Sequence, residues 1–565
     1  MSSWDKEIDL LVIGTGAGGM AAGVQGKDLG MDVLLVESSD QYGGSTAMSG
    51  GVCWVPGTRA MKKRGIADNN EDALRYLKTI TAGKIEDDRL EDYLRQSQAM
   101  VEYLEANTHV EFDSLDKYPD YYAEVPGALP GGRSMECPRF DGSKLGDDFK
   151  LLRRPHPQSQ VLGKFGITAR QAHTFLSSRL ATVIGMIVVG LGWLFRSGKR
   201  KKYGRDTSLC AGNSLIARLR LSLKERDVPL WLNAPAEDLI QDEDGKILGA
   251  IIQKDGQKLR IRARKGVIIA AGGFARNNEM RQQYQRHPIT TEWSAGNPAD
   301  LGQGIQMGIK AGAAIDLMRE AWWTPTTLIP GQSLAHVLVV EKSLPYSCFV
   351  NQNGERFTNE AAPYIDVVLG MYNDQEKTGK AVPAWMVFDA RCRQNYPVGP
   401  VAPGYTTPDS ALPKKLRNNF LKKADSLAGL AAEIGVPEDR FLAAIQRFNE
   451  NAAQGVDPDF NRGVGEQDKY YGDKNVKPNP CLGPLEKGPF YAIPIYPGDL
   501  GTKGGLVTDK KGRVLREDGT VIQGLYAVGN SSASIMGETY PGAGGTIAPA
   551  LTFGLLSAQA AAADA

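Results

Sequence analysis

The chain runs to 565 residues, with a formal net charge of +1, 42% apolar residues and 23% charged ones. That balance suits a large globular protein of roughly two to four domains and leaves no charge field to gather a nucleic acid. Six scattered cysteines without a C-x-x-C pair argue against a metal site and fit the reduced thiols of a cytoplasmic protein. The polar start, Met1–Asp9, carries no charged-then-apolar leader and points to the same compartment.

In chain order, residues 7–14 (EIDLLVIG) are a buried parallel strand, 17–29 a helix of small residues, and 32–37 (DVLLVE) a second strand. Together they make a βαβ unit. Residues 68–107 read as helical, 118–150 as a Tyr-, Pro- and Gly-rich loop, and 212–227 as a helix. Residues 229–273 read as strands around a turn at Asp242–Gly245 and end in GVIIAAGG. From 296 to 496 the chain becomes richer in loops, Trp, Tyr and Pro, as expected of an inserted α+β domain. The βαβ style resumes at 497–565, so 1–295 and 497–565 are expected to form one Rossmann-type α/β domain.

Gly14-Thr15-Gly16-Ala17-Gly18-Gly19 stands between the first strand and the helix. Gly14 allows the tight turn, Gly16 the approach of a pyrophosphate, and Gly19 close packing of helix on strand. Ala17 opens the helix whose free N–H groups face the phosphates. Glu37, 23 residues after Gly14, ends the second strand, where its carboxylate can accept ribose hydroxyls. Several glycine- and hydroxyl-rich pieces beyond Glu37 favour FAD over NAD. Gly44-Ser45-Thr46 and Ser49-Gly50-Gly51 come first, Ala271-Gly272 close one later strand, and Gly529-Asn530 close another.

This set resembles the large FAD family that holds fumarate reductase flavoproteins and 3-ketosteroid dehydrogenases, and the likeness covers nearly the whole chain. It implies that Gly545-Thr546-Ile547 begin a helix aimed at the flavin, and that Ser38, Ala236, Asn277, Asp300 and Glu538 also attend the cofactor. The stretch after Glu37 has no histidine, so the resemblance implies non-covalent FAD.

Dicarboxylate reductases of that family need arginines and histidines around the substrate. The five histidines here, His109, His156, His173, His287 and His336, form no such motif. Three tyrosine-bearing stretches stand out instead: Tyr118-Pro119-Asp120-Tyr121-Tyr122, Asn359-Glu360-Ala361-Ala362-Pro363-Tyr364 and Tyr540-Pro541-Gly542-Ala543-Gly544. With the run Asp499–Gly505 they resemble the motifs of the 3-oxosteroid 1-dehydrogenases. The resemblance implies FAD-dependent 1,2-dehydrogenation of a 3-ketosteroid; no residue names the external electron acceptor, and a quinone would suit a membrane-bound enzyme. In that reading Tyr364 takes the C2 proton and Tyr121 hydrogen-bonds to Tyr364, with Tyr118 and Tyr122 as alternatives for the latter. The Tyr540 hydroxyl and the Gly544 N–H hold the C3 oxygen, as an oxyanion hole would. A hydrogen bond from Tyr121 would lower the pKa of Tyr364. A 3-ketosteroid Δ4-dehydrogenase and a fumarate reductase-like flavoprotein are the alternatives.

Leu180–Phe195 (LATVIGMIVVGLGWLF) carries no charge and is followed by Arg196, Lys199, Arg200, Lys201, Lys202 and Arg205. Sixteen residues fall short of the ~20 that span a bilayer. Within an insertion at 150–205, the run suits a helix that dips into one leaflet with Trp193 and the basic cluster at the headgroups. Peripheral membrane contact, and a sterol substrate with a long side chain, are therefore expected. A buried core helix is the competing reading.

Overall fold

The computed structural model describes residues 3–161, 163–172 and 179–564. His173 and residues 162 and 173–178 of the expected insertion lie outside the described residues.

The first sheet is built on strand β1 (Lys6–Ile13), whose last five positions include four buried apolar side chains. Its parallel neighbour β2 (Val33–Val36) is buried on both faces, which is why it reads as an unbroken apolar run. Between them α1 (Ala17–Asp28) crosses over. Strands β3 (Leu230–Trp231), β4 (Ala236–Gln241), β5 (Ile247–Lys254) and β6 (Gln257–Ile269) follow. The sheet order is β3-β2-β1-β6-β5-β4. The long strand β6 pairs antiparallel with β5 at its start and parallel with a late strand (Val521–Ala527) at its end. The closing helix, Ile547–Ala563, packs on α1, and small residues let the two backbones approach. A Cβ on Gly18 would stand 2.8 Å from the Ala550 carbonyl oxygen.

The second sheet comes from the inserted segment. Its strands are β7 (Ala321–Thr327), β8 (His336–Val337), β9 (Ser347–Val350), β10 (Ala384–Phe388), β11 (Lys422–Ala424) and β12 (Phe490–Thr502). They run in the order β8-β7-β12-β10-β9, with β11 also on β12.

Two expectations shift. Helix Gln303–Lys310, past the boundary expected at 296, packs on the first sheet: its Ile305 and Met307 share a core with Leu11 and Ile269. Residues 118–150 are more than a loop. Ser134–Glu136 is a buried strand that pairs with Cys53–Trp54, and a 3-10 segment spans Gly142–Leu151. Strands of two or three residues leave no periodicity to read.

The uncharged run forms helix Arg179–Phe195. No described helix is long and apolar enough to cross a membrane. Ile187, Val188, Leu191, Leu194 and Phe195 are exposed, which departs from a buried core helix. The basic cluster is only partly outward. Arg196 pairs with Asp206 at 2.7 Å, Lys199 with Asp141 at 2.6 Å, and Arg205 donates to the Leu152 carbonyl.

Candidate active site

At the end of β1 the chain turns through Gly14 with φ +109°, and a Cβ there would sit 2.2 Å from the Ala270 carbonyl oxygen. Only glycine fits. Gly16 is the N-cap of α1 and offers no side chain to its free N–H groups. A Cβ on Gly16 would project into open space, with Thr46 Oγ1 nearest at 3.7 Å. The Ala17 N–H donates to Thr46 Oγ1 at 3.2 Å, and the rest of the helix end faces the opening, where an anion can sit. Glu37 is buried beside it and accepts from Thr15 Oγ1 at 2.6 Å and from the Ser39 N–H at 3.1 Å. Across the opening, Ser45 Oγ donates to Asp300 at 2.7 Å. Burial raises the Asp300 carboxyl to about 7, against the lowering effect of Ser45. An open helix N-terminus, a buried carboxylate and a glycine floor fit the diphosphate, ribose and ribityl groups of FAD.

These groups share one cavity of about 830 Å³ with the expected substrate residues. Tyr121, Tyr364, Tyr540 and Gly544 all line it. Of the expected cofactor residues, all but Gly19, Asn277, Glu538 and Gly545 line it as well. Gly19 lies beneath the turn, its Cβ position 2.2 Å from the Gly14 carbonyl. Asn277 caps the helix Asn278–Tyr284 and donates to the Leu301 carbonyl. Glu538 faces outward and pairs with Lys84 at 2.6 Å. Gly545 packs behind the Tyr540 ring. None of these four lines the cavity.

The three tyrosines converge. Tyr121 donates its hydroxyl to that of Tyr364 at 2.9 Å. The Tyr540 ring lies 5.3 Å from Tyr121 and 5.5 Å from Tyr364, and its hydroxyl meets Thr546 Oγ1 at 3.1 Å. The alternatives to Tyr121 are engaged elsewhere: Tyr118 with Tyr471, and Tyr122 with Asp366 at 3.1 Å. Burial drives the Tyr364 hydroxyl well above its usual range, and the charges of neighbouring tyrosines add to this. The hydrogen bond from Tyr121 lowers it, as expected, but does not prevail.

Each tyrosine is held by buried polar groups. Asp120, next to Tyr121, accepts from Trp54 Nε1 at 2.7 Å, from the Leu129 N–H at 3.0 Å and from Arg133 at 2.7 Å. Tyr364 opens helix Tyr364–Thr378. The segment before it is fixed by Lys342, which donates to the carbonyls of Glu360, Ala361 and Ala362. The Glu360 carboxylate bridges Arg356 and Arg462, whose charges hold it down at about 2 despite burial. Sequence reasoning missed Trp322, whose indole stands edge-on to Tyr540 at 4.7 Å and donates to Asn530 at 3.0 Å. It also missed Tyr470 and Tyr471, which line the cavity beside Tyr118. The doublet in Lys469-Tyr470-Tyr471 was the one available signal.

The FAD binding domain family model matches residues 9–547. The chain is 41% identical to the 3-oxosteroid 1-dehydrogenase of Mycolicibacterium smegmatis, over 99% of this chain and 98% of the relative. The structure of a 3-ketosteroid Δ1-dehydrogenase from Sterolibacterium denitrificans, in complex with 1,4-androstadiene-3,17-dione, is 43% identical. It superposes with a TM-score of 0.94 over 99% of this chain and 100% of that one. A 3-ketosteroid Δ4-(5α)-dehydrogenase from Rhodococcus jostii is 19% identical, with a TM-score of 0.64 over 100% and 98%, and shares the fold alone. The chain belongs to the family of FAD-binding flavoproteins that includes the 3-oxosteroid 1-dehydrogenases.

Proposed function

We propose that this protein is an FAD-dependent 3-oxosteroid 1-dehydrogenase, converting a 3-keto-4-ene steroid into the 3-keto-1,4-diene. The observation that carries the reading is the convergence of Tyr121, Tyr364 and Tyr540 on the cavity that also holds the N-terminus of α1. The high identity to 3-oxosteroid 1-dehydrogenases over the full length supports it. FAD, when bound, supplies the acceptor for the hydride that leaves C1.

The protein's own groups manage the proton and the oxygen. The Tyr540 hydroxyl and the Gly544 N–H hydrogen-bond to the C3 oxygen, so negative charge that develops there is met by donors already in place. That polarisation acidifies the C2 proton, and Tyr364 takes it at its phenolic oxygen. Tyr121 donates to that oxygen and so favours its ionised form. The surrounding aromatic rings exclude water, which strengthens each of these contacts.

Anaerobic titration with a 3-keto-4-ene steroid tests this. Bleaching of the flavin absorbance and a 1,4-diene product are expected, and an unchanged spectrum would refute the reading. Product analysis with a 5α-reduced 3-ketosteroid separates it from a Δ4-dehydrogenase.

The electrons then pass to an external acceptor, for which a quinone suits an enzyme on a membrane. The exposed apolar face of helix Arg179–Phe195 supports peripheral membrane contact. Sterols with long side chains concentrate in a bilayer and would reach the cavity from there.

A further inference from the structure

The run Asp499–Gly505 belongs to the family resemblance, yet most of it is structural. Asp499 accepts from Arg281 at 2.7 Å and from Ser294 at 2.8 Å, and Thr502 Oγ1 accepts from the Phe274 N–H at 3.0 Å. These contacts tie β12 to the chain that follows β6. Lys503 is different. It is 1% exposed, and among the described residues no carboxylate lies within ion-pairing distance of its Nζ. A buried ammonium without a counter-ion is costly, and a methionine would fill the same space without that cost.

The ammonium has two contacts, and both lead to one residue. Nζ donates to the Thr539 carbonyl at 2.7 Å, and Thr539 immediately precedes Tyr540. Nζ also lies 4.4 Å from the centroid of the Trp322 ring, the ring that stands edge-on to Tyr540. One cation therefore grips the Tyr540 backbone and braces the indole wall against which its phenol rests. Lys503 is not among the residues that line the cavity. Burial lowers its pKa to about 7, while Glu320, Glu538 and Asp366 pull the other way, so the amine is fully charged only below neutral pH, where the test below is read.

We propose that Lys503 is a positioning residue whose ammonium fixes the Tyr540 hydroxyl where the C3 oxygen must be met. This rests on the role of Tyr540 in the proposed reaction. A hydroxyl misplaced by a fraction of an ångström still binds a ketone but no longer meets the charge that develops on it, so turnover suffers more than binding.

The test uses FAD-loaded enzyme, a 3-keto-4-ene steroid and a dye acceptor. Lys503→Met should retain FAD and near-native thermal stability, lose about tenfold or more in kcat, and change KM by less than about threefold. Lys503→Arg, which keeps the charge, should recover most of that loss. Wild-type kcat in Lys503→Met overturns the proposal, and so does a failure of Lys503→Arg to exceed Lys503→Met. If Lys503→Met cannot hold FAD, Lys503→Gln decides. It keeps a donor for Thr539 without the charge, and wild-type kcat there overturns the proposal equally. Tyr540→Phe run in parallel separates the two readings. Its retained turnover would refute the role of Tyr540, whereas its loss beside an intact Lys503→Met would refute only the role of Lys503.

Discussion

The Tyr121 hydroxyl donates to the Tyr364 hydroxyl over 2.9 Å, and neither ring is more than 6% exposed. A phenol in that setting is hard to ionise, and the donated bond is the local device that opposes burial. Because burial holds the Tyr364 phenol above its ordinary range, only a small ionised fraction acts as base at neutral pH, and that fraction grows about tenfold per pH unit. The ratio kcat/KM should therefore climb across the alkaline range without a plateau below pH 10. Tyr364→Phe should cost at least about a thousandfold in turnover with FAD absorbance intact. Tyr121→Phe should cost less at any one pH and carry the alkaline rise to still higher pH. A pH profile that Tyr121→Phe leaves unmoved would sink the pairing.

Tyr121 is placed by a buried ion cluster. Arg133 is 1% exposed and bonds Asp68 at 2.8 Å and Asp120 at 2.7 Å. Burial has already raised Asp120 to about 6, with Arg133 the largest opposing influence. Arg133→Met would strand two carboxylates and should cost about 3–5 kcal/mol, as loss of one partner in a buried pair does. Denaturant unfolding of the holoenzyme measures this. Variants at exposed pairs, such as Lys84 with Glu538, should stay within about 1 kcal/mol.

Much of this site was legible because its demands fall on the backbone. The turn at Gly14 admits no Cβ, and the bare cap at Gly16 needs none, so spacing alone carries the signal. The tyrosines were legible through resemblance to a family, and periodicity played no part. Trp322, Lys342 and Lys503 were not legible. Each acts through a contact made across distant segments, such as Lys503 on Thr539 or Lys342 on Ala361, and no local pattern encodes which carbonyl a buried lysine will meet. The packing of helix Gln303–Lys310 on the first sheet was not legible for a like reason: its buried face has a partner that cannot be read from its own residues.

Asp300 gives the cavity a pH dependence of defined sign. Burial lifts its carboxyl from the ordinary value to about 7. A group whose folded pKa is raised contributes stability that is full below its unfolded pKa and is lost as pH rises through the folded one. In the FAD-free protein, the contribution of Asp300 should thus fall away between about pH 4 and 7. Asp300→Asn removes this titration, so its melting temperature should drop less than that of the wild type between pH 5 and 8. Parallel curves for the two proteins would show that Asp300 does not titrate there.

The apolar helix Arg179–Phe195 offers the last test. Phe195 is 87% exposed and Val188 63%, with Ile187, Leu191 and Leu194 beside them. Scattered exposed apolar residues are ordinary, but five on one short stretch of helix form a patch of the kind that meets lipid. Among the nearby cations, Arg196 and Lys199 are engaged with Asp206 and Asp141, while Arg200 stacks over Trp193 at 3.6 Å. Those three cations are thereby less free for anionic headgroups than the exposed Lys201 and Lys202, and apolar insertion would be the larger contribution to any membrane binding. Leu191→Ser with Phe195→Ser should then release the protein from vesicles at any lipid charge, whereas raising salt should release it only in part. Turnover of a short, water-soluble 3-ketosteroid should not change in that variant, because neither residue lines the cavity. Turnover of a sterol with a long side chain, supplied in vesicles, should fall. Equal sedimentation of variant and wild type with vesicles would rule out this face as the membrane contact.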